Sequence, residues 1–440
     1  MGAGTAQRGA CLLISGKVRK NMEFVVFAGV LLLLFIFMIV QELIQTKNQE
    51  KLFKKYLREN YGKEPPKEYS LERFARLGSY LERHKEEKQL DDITWNDLGM
   101  DEVFRRIDRT YSAAGEEYLY YTLRNISCGR EALEHLEEVV NWLQGQENIK
   151  VRIQLLMKRL GHLGKYSLYD YLDNLDYLGE RSNRKIVLGN LLYLPFLLLL
   201  FVQPAMGTIG IVLCMLWHIM TYFREKKVIE PYIISFAYVL RLIDVCEELE
   251  KQKIPVYRRE LDELREALKS LLELRRGAYW VMAGNQGKIG GNPLDILADY
   301  LRMILHLDIF QFNRMLEKLR KKTGQVETML AITGYLDMAI SVGGFRKSLE
   351  GYCIPKLEED TEKAFLHMKK GWHPLLSQPV KNSIRADRGI LLTGSNASGK
   401  STFLKMVAVN AVLAQTIHTC AAESYHAPIF QIFSSMALRD

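Results

Sequence analysis

Residues 186–223 contain no Asp, Glu, Lys or Arg, and their apolar run is interrupted only at Gln203 and Pro204. The two halves, 186–202 and 205–223, are apolar all round rather than along one stripe. Each is close to the length that crosses a bilayer core. Helices of soluble proteins rarely go so far without a charge, so the pair predicts a membrane hairpin. Residues 24–40 (FVVFAGVLLLLFIFMIV) form a third span of the same kind.

Flanking charge orients these segments. Arg181, Arg184 and Lys185 precede the hairpin, while Arg224, Lys226 and Lys227 follow it. Both flanks therefore belong on the cytoplasmic side, with only a tiny turn outside. The first span is followed by Lys47, Lys51, Lys54, Lys55 and Arg58, which also places its C-terminal side inside. Lys17, Arg19 and Lys20 argue the other way, and a translation start at Met22 would remove them. The expected topology has the N-terminus outside and residues 46–185 and 224–440 in the cytoplasm. This makes a multi-pass protein of the cell membrane.

The remaining sequence is mostly helical in pattern. Residues 131–143 place Leu133, Leu136, Val139, Val140 and Leu143 on one face. Long amphipathic helices continue from Ile229 to about Met368, broken by the glycine cluster of 283–293 (AGNQGKIGGNP). The charged runs, such as Lys318, Arg320, Lys321 and Lys322, read first as solvated helix faces. The acidic stretch around Asp244, Glu247 and Glu248 follows an apolar pair but lies inside a helical pattern, so it reads as structural. A net charge of +8 suits an anionic partner without choosing among nucleic acid, nucleotide and lipid. The six cysteines, Cys11, Cys128, Cys214, Cys246, Cys353 and Cys420, show no metal or redox spacing and read as reduced thiols.

Past residue 370 the pattern changes. Gly371, Trp372, His373 and Pro374 break the helix, and residues 389–393 (GILLT) make a short β-prone run. Gly394-Ser395-Asn396-Ala397-Ser398-Gly399-Lys400-Ser401 then fits G-x-x-x-x-G-K-S/T in full, with Thr402 beside it. Glycines let backbone N–H groups curl around phosphate oxygens. Lys400 reaches the β- and γ-phosphates of ATP, Ser401 holds Mg2+, and the following helix adds the positive end of its dipole. That helix is expected from Lys400 to about Gln415, with Phe403, Val407, Ala411 and Ala414 along one face. Hydrolysis also needs a second acidic strand and a group that positions water. Nothing between Phe403 and Asp440 supplies them, so no catalytic residue is assigned and the ATPase module reads as incomplete.

The stretch LLTGSNASGKSTFLKMVAVNAVLAQ, residues 391–415, resembles the ATPase domain of MutS-type DNA mismatch repair proteins. Cys420, Ala421, Ala422 and Glu423 stand where that family has a V-P-A-like step, and residues 430–440 resemble its segment before a D-D pair. Gly371-Trp372-His373-Pro374 is similar to its R-H-P approach to the domain. Leu336-Asp337-Met338-Ala339 and Tyr352-Cys353-Ile354-Pro355 resemble its lever helix and exit, and residues 110–119 (TYSAAGEEYL) its T-x-x-G core motif. The resemblance implies an ATP-switched homodimer. The family's mismatch-reading domain with its G-x-F-Y-E wedge is absent, as is a connector domain. Any DNA affinity is therefore expected from phosphate contacts, with no more than about a threefold mismatch preference.

The expected fold is a mainly α-helical core and lever with three transmembrane helices, plus the N-terminal part of an α/β P-loop ATPase domain. The expected division is 1–45 with a span at 24–40; 46–185 helical; 186–223 hairpin; 224–370 helical core and lever; and 371–440 P-loop. Functionally this is a membrane-anchored, MutS-like ATP-binding protein related to DNA repair. The alternatives are an ABC-like engine acting on a non-DNA protein partner and a non-hydrolysing anchored scaffold.

Overall fold

A computed structural model describes residues 37, 40–41, 44–64, 69, 71–86, 88–126, 129–163, 167–275, 300–359, 363–395 and 399–435. The expected span at 24–40, the glycine cluster at 283–293 and residues 436–440 lie wholly or almost wholly outside them. The chain divides into two compact units, Met1–Asn60 and Tyr61–Asp440. Within the first, residues 44–60 are helical, with Glu50–Lys54 and Lys55–Glu59 ion pairs one turn apart.

The second unit is built on helices. In chain order the described ones are α1 (Leu71–Arg83), α2 (Asp92–Leu98), α3 (Met100–Ile107), α4 (Ala113–Arg124), α5 (Gly129–Gly145), α6 (Glu147–Leu160) and α7 (Leu168–Asp173). There follow α8 (Arg184–Leu191), α9 (Tyr193–Val202), α10 (Pro204–Glu250), α11 (Arg258–Leu271), α12 (Leu307–Arg320), α13 (Thr323–Ser348) and α14 (Lys400–Ile417). The predicted face of α5 is the buried one: Leu133, Leu136, Val139, Val140 and Leu143 all point into the core.

Helix α13 is the axis of that core, packed against α4, α5, α6 and α11. Its contact with α4 joins two segments far apart in sequence. The Asp337 carboxyl accepts from the Ser112 hydroxyl at 2.6 Å, the Ser112 amide at 2.9 Å and the Tyr111 amide at 3.0 Å. Ser112 in turn caps α4 through the Gly115 amide. A Cβ on Gly115 would stand 2.4 Å from Asp337 Oδ2, so only glycine permits this approach. The TYSAAG segment and the Leu336–Ala339 stretch thus form one joint.

Three of the described helices are long and apolar enough to cross a membrane. In Arg184–Val202, mean hydropathy 2.1, only 6% of the apolar window is buried; in α10 the figure is 28%, and in α13 it is 83%. The last is therefore a core helix. The other two pack on each other as an antiparallel pair, with Gly207 so close to the Leu200 backbone that a Cβ would meet its nitrogen at 2.6 Å. The expected hairpin boundaries hold at Gln203, but α10 does not stop at Phe223. It runs on for 47 residues into the core, because apolar residues recur on one face beyond the cationic flank: Ile229, Ile233, Phe236, Leu240 and Ile243 are buried.

The helical pattern ends at Ser348, earlier than Met368. A four-stranded mixed sheet follows, order β1 (Lys356–Glu358), β4 (Ser424–Pro428), β2 (Leu366–Gly371), β3 (Asn382–Ala386). β1 pairs parallel with β4, and β2 pairs antiparallel with both β4 and β3. The β-prone run at 389–393 is not a strand: it finds no partner among the described strands, and Ile390 and Leu391 are 54% and 88% exposed. An apolar sequence sets β propensity, but a strand exists only where a ladder takes its N–H and C=O groups.

Candidate functional site: the N-terminus of the last helix

Helix α14 begins at Lys400, as expected, and its N-cap Gly399 takes φ +83°, a left-handed value natural to glycine. Among the described residues no side chain caps it, and the first-turn amides have no intrahelical acceptors. Ser401 and Thr402 are exposed on that turn. The Lys400 ammonium folds back on its own loop, donating to the Gly394 carbonyl and, at 3.1 Å, to that of Ser395. Asn396, Ala397 and Ser398 lie outside the described residues. Amides without intrahelical acceptors, a helix dipole and one cation thus converge at a single helix end.

That end opens onto a cavity of about 670 Å³ whose lining includes Gly394, Gly399, Lys400, Thr402, Phe403 and His373. Among the described residues lining it, none is acidic. His373 is buried, and desolvation, followed by the nearby Lys405 cation, holds its pKa below the ordinary histidine value. The ring is therefore neutral near pH 7, and its Nδ1 accepts from the Leu375 amide at 3.3 Å.

The rest of α14 is fixed. Asn410 donates to the Trp372 carbonyl at 3.0 Å and accepts from the Ala421 amide at 2.7 Å, tying the Gly371–Pro374 turn to the Cys420–Glu423 segment. Gln415 brackets Phe430, donating to its carbonyl at 2.9 Å and accepting from its amide at 3.1 Å. At the helix C-terminus Arg346, from the last turn of α13, is buried to 1% exposure. It donates to Thr419 Oγ1 at 2.8 Å, to Glu137 at 2.7 Å and to the carbonyls of His418 and Ile417 at 3.0 and 3.3 Å. A cation here also complements the negative end of the helix dipole. Burial pushes the Glu137 carboxyl up, but hydrogen bonds from His418 and Arg346 outweigh it and hold the pKa down at about 2.

Sequence reasoning singled out the G-x-x-x-x-G-K-S residues, of which Gly394, Ser395, Gly399, Lys400 and Ser401 are described, and did not single out Arg346, Glu137, Asn410 or the cysteine pair. Cys353 and Cys420 face each other across an isolated antiparallel bridge, with backbone hydrogen bonds of 2.9 and 3.0 Å in both directions and both thiols free. Their separation in sequence hid the pairing. The cations of the Lys318–Lys322 run lie at the protein surface, as on a solvated helix face, in local pairings: Lys318 with Glu273 at 3.1 Å, Lys321 with Glu317 at 3.6 Å, Arg320 donating to the Leu175 carbonyl at 2.6 Å and Lys322 to the Ser270 carbonyl.

No family model matches the chain. Over 135 residues it is 32% identical to DNA mismatch repair protein MutS of Acholeplasma laidlawii, covering 29% of this chain and 16% of that protein. Over 135 residues it is 31% identical to the same-named protein of Listeria monocytogenes, covering 28% and 14%. MutS protein homolog 4 of Homo sapiens is 28% identical over 123 residues, 26% of this chain and 12% of the homolog. The chain is similar to MutS proteins over that stretch. The matched part is a small fraction of those relatives, and it supports a MutS-like relation to DNA repair.

Proposed function

We propose that this chain is a membrane-anchored, MutS-like ATP-binding protein whose P-loop region lies in the cytoplasm and which works as an ATP-switched homodimer. The observation that carries the reading is the uncapped first turn of α14, with Lys400 parked on loop carbonyls at the mouth of a cavity. Triphosphate oxygens would take the Lys400 ammonium from those carbonyls and satisfy the first-turn amides. Ser401 is the Mg2+ ligand of this reading, and ATP and Mg2+ its cofactors. Binding and turnover separate here, because the described cavity offers no carboxylate to order a water.

The test is nucleotide binding by the purified 440-residue chain. Lys400→Ala is expected to weaken ATP binding at least about tenfold, the loss of one charge-assisted contact of about 1.5–3 kcal/mol. The wild-type chain should show no Mg2+-dependent hydrolysis. Turnover that Lys400→Ala abolishes would overturn the second half of the proposal, and equal ATP binding by both proteins the first.

DNA is a partner of this reading through phosphate contacts, by analogy with the MutS proteins. A second reading, an engine acting on a non-DNA protein partner, is favoured by the unbroken course of α10 from the apolar hairpin into the core. Binding to matched and mismatched duplex at rising salt separates the two readings.

A further inference from the structure

At the foot of the hairpin, where α8 leaves the core and α10 returns to it, a cavity of about 410 Å³ lies among Lys185, Gly189, Trp217, His218, Thr221 and His306. Its floor is arranged in advance. His218 is 1% exposed, and its Nδ1 lies 2.9 Å from the Cys214 carbonyl, which requires the Nδ1 proton and makes Nε2 an acceptor in the neutral ring. Nε2 lies against Gly189, 3.2 Å from where a Cβ would stand, so the absence of a side chain there keeps the space open. Thr221 Oγ1 and His306 Nε2 are 3.3 Å apart on the same floor.

The excess of positive charge lies around the cavity rather than within it. The lining itself holds two cations, Arg181 and Lys185, and two carboxylates, Glu180 and Glu225; the flanks just outside it add Arg184, Arg224, Lys226 and Lys227. One carboxylate, Glu225, is taken by Arg181, whose Nε is in turn held by Asn313 Oδ1 at 3.0 Å. Lys185 is exposed and forms no ion pair among the described residues. On the other side the wall turns apolar: Trp217 is 50% exposed, and neighbouring Leu188 is 67% exposed. One cavity therefore joins a cation and a hydrogen-bond acceptor to a greasy outer face.

We propose that this cavity binds the headgroup of an anionic phospholipid that carries a hydroxyl, as phosphatidylglycerol does. Lys185 meets the phosphodiester, Nε2 of His218 accepts the headgroup hydroxyl, and the acyl chains lie along the exposed face of the hairpin. Basic segments flanking membrane helices draw anionic headgroups to such a place. The inference rests on the reading of the hairpin as membrane-embedded.

The experiment is native mass spectrometry of the full chain released from detergent, after incubation with phosphatidylglycerol, phosphatidylcholine or inorganic phosphate. Carbonate extraction of the same membranes is run in parallel. Phosphatidylglycerol should be retained about fivefold better than phosphatidylcholine, and Lys185→Gln should remove that preference. Gly189→Leu, which fills the cavity, should abolish retention while the protein still resists carbonate. Equal retention of the two lipids, or an unchanged Lys185→Gln protein, would overturn the site. Displacement by millimolar inorganic phosphate would assign it to a soluble anion. Release of the wild type by carbonate would overturn the hairpin reading itself, an outcome distinct from the other three.

Discussion

Helix α13 and the α8–α9–α10 hairpin are both apolar enough to cross a bilayer, yet one is 83% buried over its apolar window and the first leg of the other is 6% buried. The difference lies in their polar residues. α13 carries Thr333, Asp337, Ser341 and Arg346, all buried, and the hydroxyl, carboxyl and guanidinium groups all have partners in neighbouring elements or their own helix. The hairpin legs carry few, His218 being the buried one, and their large exposed side chains are Leu, Ile, Val, Phe, Met and Trp, with no buried carboxylate or guanidinium. Polar groups that need fixed partners specify a place in a protein core; a surface that needs none is at home in lipid. Hydropathy alone does not separate the two cases, and polar patterning does.

The largest expected effect is at the exposed apolar positions of the hairpin, under the membrane-embedded reading proposed above. Leu198 and Leu213 are 69% and 61% exposed. Changing both to Arg costs about 2.5–3.5 kcal/mol each on insertion. Carbonate-resistant membrane retention is expected to be lost, while urea unfolding of the helical core in detergent is unchanged. Joint failure of both would show that the hairpin face is core after all.

The next effect is in α13. Asp337→Leu leaves the Ser112 hydroxyl and the Ser112 and Tyr111 amides without their acceptor in a buried joint. Each orphaned donor costs about 1–3 kcal/mol, so a loss of roughly 3–5 kcal/mol is expected in denaturant unfolding. Membrane retention should not change. A loss below about 1 kcal/mol would remove Asp337 from the argument.

The smallest effect sharpens the comparison at the far end of α13, where Arg346 meets Glu137. The folded pKa of Glu137, about 2, lies below its unfolded value of 4.5. Its contribution is therefore complete above about pH 4.5 and is lost as pH falls toward 2. Glu137→Gln should lower stability by about 1–3 kcal/mol at pH 7 and flatten the acid limb between those two values. An unchanged acid limb would mean that the Arg346 contact is made by the His418 and Ile417 carbonyls alone.

Much of this was legible because it is local. The helical hairpin, the face of α5 and the start of α14 follow from residue type at fixed spacing. What was not legible depends on distant partners. GILLT has the composition of a strand, but composition does not supply the neighbouring ladder. The sheet begins at Lys356 because β1 meets β4 far downstream, with Lys356 opposite His426 and Glu358 opposite Pro428. Arg346 reads as one more cation at a helix end until α14 brings its C-terminal carbonyls alongside. The continuation of α10 past Phe223 was masked by its cationic flank, which interrupts the apolar face without breaking the helix.

That continuous helix has a mechanical consequence. At 1.5 Å per residue, 47 residues make a strut about 70 Å long. A 10° tilt at its base sweeps the hairpin tip through about 12 Å. Pro231, which withholds one backbone N–H from the ladder just beyond the cationic flank, is the natural swivel in the strut. A bilayer resists such a sweep, since tilting changes how much apolar length must be matched to its thickness. On the proposed reading of the hairpin as membrane-embedded, bilayer thickness would then bear on the core through this strut.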